Sequence, residues 1–371
     1  MNQYYNPVRT IQGAGSLSGL PDVLEEMHSE SRRVLVLGWG EKVFQHPVFS
    51  RLEKFDVKTC VFTVSNPTVE QLFETYQSTK EFSPDVVVAI GGGSIMDVGK
   101  SLCCMYGNEI SDEEDLRAYI QNKSFKTPAV RWIGVPTTSG TGSEVTCWAT
   151  IWDPSKNVKC SIENHGNYAY AALIDPQLTE ELPLKLAVSS ALDAVAHAAE
   201  AYWAKGTNIV SRALALQAIR MIMSHMDDLL CGKSYAHDIM AKGSMLAGLA
   251  FSNTKTTACH SISYPLTMHY HIPHGAAVSM LLAPVLELNA SGVEDMENLF
   301  AALGVDSAQM LRERIGAFLK RSGQPATLQE WNVPFEECAS LAMLGMTKGR
   351  ADNNPVELTV EKIKEILESV Y

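Results

Sequence analysis

The sequence predicts an α/β nucleotide-binding domain followed by an all-helical domain, and three observations lead there. Up to about residue 182, short β-rich runs alternate with helical stretches. After Pro183 those runs stop, and Ala, Leu and Met recur at helical spacing. Within the first half, two β-rich runs end in loops dense in glycine or hydroxyl side chains. A chain of 371 residues also exceeds what one hydrophobic core usually supports, so two domains are expected, over 1–182 and 183–371.

The first-half strands are expected at Val34 to Leu37, Thr59 to Val64, Val86 to Ile90, Trp132 to Val135 and Ala171 to Ile174. Their unbroken apolar character suits a mostly parallel sheet covered on both faces. Thr146 to Trp152 and Val158 to Ile162, joined through the polar turn Asp153-Pro154-Ser155-Lys156-Asn157, read as a hairpin beside that sheet. In the second half, helices are expected over 187–204, 208–230, 236–252, 276–289, 308–322 and 359–369, with joints at Gly232, Gly275 and Pro334. A cleft between two such domains is where small-molecule chemistry is expected.

The formal net charge of −12 argues against an electrostatic grip on nucleic acid or anionic membrane, both of which need clustered basic residues. The eight cysteines are scattered through apolar runs, with Cys103 and Cys104 adjacent, and read as reduced core thiols. Met1 to Gly19 lacks a basic start followed by an apolar core, and no later stretch approaches ~18 unbroken apolar residues, so a cytoplasmic protein is expected.

Val86 to Ile90 runs into Gly91-Gly92-Gly93-Ser94-Ile95-Met96-Asp97-Val98-Gly99-Lys100, a buried strand ending in a glycine turn that opens a helix. Glycines let the backbone approach a pyrophosphate, and free N–H groups at a helix start supply donors and partial positive charge. The spacing is not G-x-G-x-x-G, and a ligand-free strand-to-helix turn is the plain alternative. A second loop, Pro136-Thr137-Thr138-Ser139-Gly140-Thr141-Gly142-Ser143-Glu144, follows another strand. Parallel strands place both loops on one sheet edge, so Gly92, Gly93, Ser94, Asp97, Thr137, Thr138 and Ser143 are candidates for one shared nucleotide.

Asp193 and His197, four apart on a predicted helix, share one face. His260 on an apolar helix and His274 at a helix start lie fourteen residues apart. One carboxylate and three imidazoles suit a first-row divalent metal with room left for a substrate oxygen. Spacing alone leaves His165, His237, His269 and His271 as competitors.

At this point the chain resembles the iron-containing (group III) alcohol dehydrogenase family, which shares its two-domain, dehydroquinate synthase-like architecture with glycerol dehydrogenases. The resemblance runs through Asn66-Pro67-Thr68, the Gly91 to Lys100 turn, Pro136 to Glu144, Asp193 to Glu200, His260, Pro273-His274-Gly275 and Asn354-Pro355. It implies a metal-dependent reaction with NAD(P)H, NADH slightly preferred, and assembly into dimers or larger homo-oligomers. It implies pyrophosphate contacts at Gly93 and Ser94, further cofactor contacts at Asn66, Thr137, Thr138 and Thr146, and a ribose contact from Lys159. It also implies that Asp193, His197, His260 and His274 hold the metal, usually ferrous iron, with zinc or manganese in some members. A lyase of the dehydroquinate-synthase kind shares the architecture, but its multiple basic grips on phosphate and carboxylate are not apparent.

Three positions depart from the family pattern. Tyr264 replaces a common second histidine and, with His269, is a candidate for a proton relay. Trp39 follows the first strand where NAD-preferring members often place an aspartate. Lys255, expected on the helix carrying His260, stands where a small residue is usual. A charge there is costly unless an anion answers it, or a protein carboxylate does. The wording from Thr254 to Thr267, with Ala149 to Asp153 and Asp352 to Pro355, resembles the branch that reduces phosphonoacetaldehyde to 2-hydroxyethylphosphonate, close to reductases of sulfoacetaldehyde. That implies a small anionic aldehyde gripped by Lys255, Thr254 and Thr256, with Arg350 and Asn354 as further candidates. A neutral aldehyde such as lactaldehyde is the main alternative.

Overall fold

The computed structural model describes residues 3–27, 33–156 and 158–371. Its chain forms two compact units. One comprises Asn6–Thr138 and Ser143–Leu178; the other comprises Thr179–Tyr371 with residues 3–5 and Ser139–Gly142.

The first unit contains, in chain order, β1 (Arg9–Gln12), α1 (Leu20–Met27), β2 (Arg33–Gly38), β3 (Asp56–Val61), α2 (Val69–Thr79), β4 (Val86–Gly91), α3 (Gly93–Met105), α4 (Glu113–Asn122), β5 (Arg131–Pro136), β6 (Trp148–Asp153), β7 (Val158–Glu163) and β8 (Ala171–Ile174). Six strands form a sheet in the order β1-β8-β5-β4-β2-β3, with every pairing parallel. Alternate residues serve opposite faces. Leu35, Leu37, Val87, Ala89 and Trp132 join the core made with α2, α3 and α4. Val34, Val36, Val86, Val88, Ile90, Ile133 and Val135 join the core made with α1. Both faces are covered, which accounts for the unbroken apolar runs.

The strand expected over Thr59 to Val64 lies three residues earlier. β3 is an edge strand on which Asp56 and Lys58 alternate with Val57 and Thr59, so its pattern is half polar, and Val64 is exposed past its end. β6 and β7 pair antiparallel in a separate two-stranded sheet. Asn157 in the expected turn lies outside the described residues, as do Met1 and Asn2. From β2 the chain steps outward to β3 and then crosses back to β4, so the strand order reverses between β2 and β4. The carboxyl ends of those two strands are the place where open α/β sheets bind nucleotides.

The second unit contains α5 (Leu184–Trp203), α6 (Ile209–Leu230), α7 (Ser234–Thr254), α8 (Ala258–Tyr270), α9 (His274–Asn289), α10 (Met296–Leu303), α11 (Ala308–Arg321), α12 (Cys338–Leu344) and α13 (Val360–Ser369). Helices α5, α6 and α7 pack on one another, while α9 packs against α5, α8 and α11. The stretch His274–Gly292 is long and apolar enough to span a membrane by composition, with mean hydropathy 1.2, but two thirds of it is buried among these helices. A helix surrounded by protein is apolar all round for that reason.

Two expectations about this unit need correction. Gly275 is no joint: it lies in the first turn of α9. Lys255 does not share the helix of His260, because α7 ends at Thr254 and α8 begins at Ala258. Between them Lys255 adopts φ 60°, ψ 179°, a conformation almost confined to glycine.

Candidate active site

In the α/β unit, β4 and β5 end side by side. Gly91 pairs with Pro136, and the Thr137 amide donates to the Gly91 carbonyl at 3.0 Å. A Cβ on Gly92 would press to 3.3 Å from the Thr138 side chain, so a glycine lets the two loops touch. Ser94, in the first turn of α3, accepts a hydrogen bond from the Asn66 amide at 3.2 Å. Asn66 has φ 57° and precedes a capping box in which Thr68 and Gln71 exchange hydrogen bonds at the start of α2. The Trp152 amide donates to the Pro67 carbonyl at 2.8 Å, and the Lys159 ammonium lies 5.3 Å from the Trp152 ring centre. Trp39 follows β2 and is about half exposed. Asn66, Gly92, Gly93, Ser94, Thr137 and Thr138 are therefore gathered beside the strand-order reversal, and Lys159 is tied to the same group through Trp152.

Asp97, Ser143 and Thr146 have a different use. Lys100 is fully buried, and its ammonium donates to the Ser143 carbonyl (3.1 Å) and hydroxyl (2.7 Å), the Thr146 hydroxyl (3.0 Å) and the Trp148 carbonyl (2.6 Å). Asp97 Oδ1 lies 3.3 Å from that ammonium and accepts from the Ser143 hydroxyl at 3.0 Å, while its other oxygen accepts from the Thr150 amide. These side chains clamp the hydroxyl loop to α3 from inside. Lys100 closes the glycine-turn motif, and its role depends on partners 43 to 48 residues further along the chain.

The second constellation lies in the helical unit. Asp193 and His197, one turn apart on α5, bring Oδ2 and Nδ1 to 3.7 Å. His260 Nε2 from α8 is 3.4 Å from Asp193 Oδ1, and His274 Nε2 from the start of α9 is 3.9 Å from the same oxygen. The ligand atoms of Asp193, His260 and His274 all lie within 4.8 Å of one another. The His197 ring stacks 4.2 Å from that of His260 and 4.3 Å from that of Phe251. Gly275 makes this meeting possible, since a Cβ there would fall 2.1 Å from the Ser189 carbonyl oxygen of α5. The start of α9 can approach α5 this closely only with glycine beside the ligand.

Three buried polar atoms at this point, Asp193 Oδ1, His197 Nδ1 and His260 Nε2, have no hydrogen-bond partner. Leaving such an atom unsatisfied costs about 1–3 kcal/mol; a divalent cation held by Asp193, His260 and His274 would satisfy Asp193 Oδ1 and His260 Nε2, while His197, with Nδ1 3.7 Å from Asp193 Oδ2, falls outside that close group. Asp193 and His197 carry the protonation states a metal needs, whereas at His260 burial is outweighed by Glu200 and Asp193, which raise it to about 9, so metal binding there would displace a proton. Burial pushes His197 down to about 4, leaving a neutral imidazole, the form that binds metals. Burial alone would raise the Asp193 carboxyl, but His197, His274 and His260 outweigh it and hold the group well below the usual range.

Glu200, one turn beyond His197 on α5, is fully buried and paired with His260 Nδ1. Its Oε1 also accepts from the Thr257 hydroxyl at 2.9 Å and the Cys259 amide at 2.6 Å. The carboxylate fixes the His260 tautomer so that Nε2 faces Asp193. Its spacing, three after His197 and seven after Asp193, was a readable signal.

Tyr264 is buried on α8, with its ring stacked 6.2 Å from that of His274. His269 lies five residues, about one and a half turns, further along the same helix, exposed in its last turn; from His260 to His269 nine residues of helix span about 13.5 Å, which separates it from the His260 end. Lys255 is exposed, while Thr254 and Thr256 beside it are buried. Of the competing histidines, His237 pairs with Thr179 and His271 caps the end of α8 in a left-handed turn.

Residues 7–176 match iron-containing alcohol dehydrogenase, and residues 187–371 match the C-terminal region of the Fe-containing alcohol dehydrogenase family. The chain belongs to the iron-containing alcohol dehydrogenase family. It is an oxidoreductase that interconverts alcohols and aldehydes. NADPH-dependent butanol dehydrogenase of Clostridium saccharobutylicum is 28% identical, covering 100% of this chain and 98% of that protein. Lactaldehyde reductase of Escherichia coli K12 is 29% identical, covering 83% of this chain and 82% of that protein. The crystal structure of sulfoacetaldehyde reductase from Bifidobacterium kashiwanohense in complex with NAD+ superposes with a TM-score of 0.87 at 28% identity, over 100% of this chain and 98% of that one.

Proposed function

We propose that this family member is an NAD(P)H-dependent reductase of small aldehydes carrying an anionic group, with phosphonoacetaldehyde and sulfoacetaldehyde as the substrates to test. In this reading Asp193, His197, His260 and His274 hold a divalent metal, ferrous iron foremost, with zinc or manganese as substitutes. The observation that carries it is the close approach of the Asp193, His260 and His274 ligand atoms, two of which, Asp193 Oδ1 and His260 Nε2, are buried without a hydrogen-bond partner.

A metal bound there supplies a Lewis acid that draws electron density from a carbonyl oxygen and stabilises the negative charge that develops on it. Each turnover consumes one NAD(P)H and one proton and yields one alcohol. Glu200 holds His260 in the tautomer that leaves Nε2 available. Burial raises the Tyr264 phenol above the usual tyrosine range, so it keeps its proton beside His274 and is positioned to donate it. In the α/β unit, Gly92, Gly93, Ser94, Asn66, Thr137 and Thr138 take the pyrophosphate, Lys159 the ribose, and Trp39 lies where the adenosine end is read. Asp97, Ser143 and Thr146 shape that site through Lys100.

The anionic class is supported by the likeness to sulfoacetaldehyde reductase and by the cationic side chain of Arg350 over Tyr264. Similarity to lactaldehyde reductase favours a neutral aldehyde as the second reading. Steady-state kinetics of metal-loaded enzyme with phosphonoacetaldehyde, sulfoacetaldehyde and lactaldehyde, each with NADH and NADPH, separates them. A kcat/KM at least tenfold higher for an anionic aldehyde is expected, with NADH the better donor; parity or preference for lactaldehyde selects the neutral reading. The enzyme is expected to work in the cytoplasm as a homodimer or larger homo-oligomer, which sedimentation of the purified protein checks.

A further inference from the structure

Arg350 has surroundings unlike those of five other arginines in the chain. Arg9, Arg33, Arg117, Arg212 and Arg321 each pair with a carboxylate. Among the described residues no carboxylate pairs with Arg350, although the chain carries an excess of twelve formal negative charges. Its guanidinium instead lies half-buried over the ring of Tyr264, 5.2 Å from the ring centre. The same Tyr264 ring stacks at 6.2 Å, within 13° of parallel, on His274, whose Nε2 faces Asp193. Guanidinium, phenol, imidazole and the metal-ligating cluster thus form one continuous stack.

The segment carrying Arg350 is fixed from several directions. The Ser261 hydroxyl of α8 donates to the Gly345 carbonyl at 2.6 Å and accepts from the Thr347 amide at 2.9 Å. The Asn353 side-chain amide donates to both the Thr254 and Thr256 carbonyls, at 2.8 and 3.1 Å. Lys205 donates through its amide to the Asn353 carbonyl and through its ammonium to the Asp352 carbonyl. Buried Asn354 exchanges amide hydrogen bonds with Asn289, at 2.9 and 2.7 Å. A cation held this firmly costs little to order when a ligand arrives.

We propose that Arg350, laid on Tyr264, is the group that binds the anionic end of the substrate, and that Lys255 is not. This rests on the anionic-aldehyde reading above and names the residue that enforces it. A guanidinium over an aromatic ring that also hydrogen-bonds its phenol has further N–H donors among its five, and that planar fork matches two oxygens of a phosphonate or sulfonate. The charges also balance: a divalent cation is offset by Asp193 and Glu200, which leaves Arg350 as the charge an anionic substrate answers. Lys255 projects from an exposed, left-handed residue between helices, and an ammonium is a point charge without a fork.

The test titrates metal-loaded enzyme with NAD+ bound, by calorimetry, using 2-hydroxyethylphosphonate, isethionate and neutral propane-1,2-diol, in wild type, Arg350→Gln, Arg350→Lys and Lys255→Ala. Arg350→Gln is expected to weaken the two anions about 10- to 100-fold, to leave the diol within about twofold, and to raise KM for the aldehydes more than it lowers kcat. Arg350→Lys is expected to recover part of the loss, and Lys255→Ala to bind the anions within about twofold of wild type. Anion affinity unchanged in Arg350→Gln, or lost in Lys255→Ala instead, overturns the assignment while leaving the anionic reading intact. A wild type that binds the diol but neither anion overturns both.

Discussion

Two buried polar clusters, one in each unit, put the same chemistry to opposite ends. Around Lys100 every strong donor meets an acceptor: the ammonium is shared among Ser143, Thr146, Trp148 and Asp97, and nothing in the cluster asks for a ligand. Around Asp193 three buried atoms lack partners. A closed cluster fixes shape, while an open one holds valence in reserve for something the chain does not supply. The largest effect is therefore expected from Asp193→Asn, which nearly preserves shape and removes the anionic ligand. Turnover should fall at least about 10³-fold, some 4 kcal/mol, and the rise in Tm that added divalent metal gives wild type through linkage should vanish. A chelator should act likewise on wild type. A variant that keeps both turnover and the metal-dependent Tm rise would erase the contrast.

The mirror experiment is Lys100→Met. It leaves the buried Ser143 and Thr146 hydroxyls and the partly exposed Asp97 carboxylate without the ammonium, while Asp97 keeps its bonds to Ser143 and Thr150, so the expected loss is about 1–3 kcal/mol. Chemical denaturation should register that loss, accompanied by weaker dinucleotide binding because the hydroxyl loop is no longer clamped to α3. A loss below about 1 kcal/mol would show that the closed cluster is ornamental.

Glu144, in the same hydroxyl loop, sharpens the point with pH. Its fully buried carboxyl is pushed up to about 7 by burial, against an ordinary 4.5, with its own backbone and Lys100 opposing that shift. The folded state therefore holds a proton that the unfolded chain has released. Stability from this group is complete below about pH 4.5 and is lost as pH rises through about 7, worth about 3 kcal/mol at most. Glu144→Gln should flatten the decline in unfolding free energy between pH 5 and 8. A variant with the wild-type slope would mean that other groups produce it.

What could be read beforehand followed the range of the physics. β4 was legible because both sheet faces are covered, so its pattern is unbroken Val and Ile; β3, at the edge, mixes Asp56 and Lys58 into its run and was misplaced. Asp193 and His197 were legible as a pair because helical spacing alone sets their separation. Their meeting with His274 depends on Gly275 seating α9 against Ser189, a contact between segments some eighty residues apart that no local pattern announces. Arg350 owes its place to Ser261, Thr254, Thr256 and Asn289, partners of its segment from elsewhere in the chain, and so resembled an ordinary loop residue.

Glu200 occupies the middle ground between the two clusters, being a satisfied carboxylate that serves an unsatisfied one. Glu200→Gln should lower metal affinity about 10- to 100-fold, read by competition with a chromogenic chelator, with kcat recovering when metal is saturating. If kcat stays low in saturating metal, Glu200 acts in the chemistry as well as in orienting His260.

The smallest effect separates backbone from side chain at Lys255. Its φ of 60° and ψ of 179° lie where a Cβ is strained, at about 1–3 kcal/mol. The conformation is held by the Asn353 amide grasping the carbonyls on either side and by the Lys255 amide donating to Phe251 at 2.8 Å. Lys255→Ala keeps the Cβ and should leave stability within about 0.5 kcal/mol. Lys255→Gly removes it and should gain about 1 kcal/mol, the relief of strain being partly offset by the greater entropy of an unfolded glycine. The difference between the two variants, read from denaturation midpoints, isolates the strain from whatever the ammonium does. If glycine proves no more stable than alanine, the left-handed turn carries no stored cost, and the break between α7 and α8 must come from Thr256 and Thr257 instead.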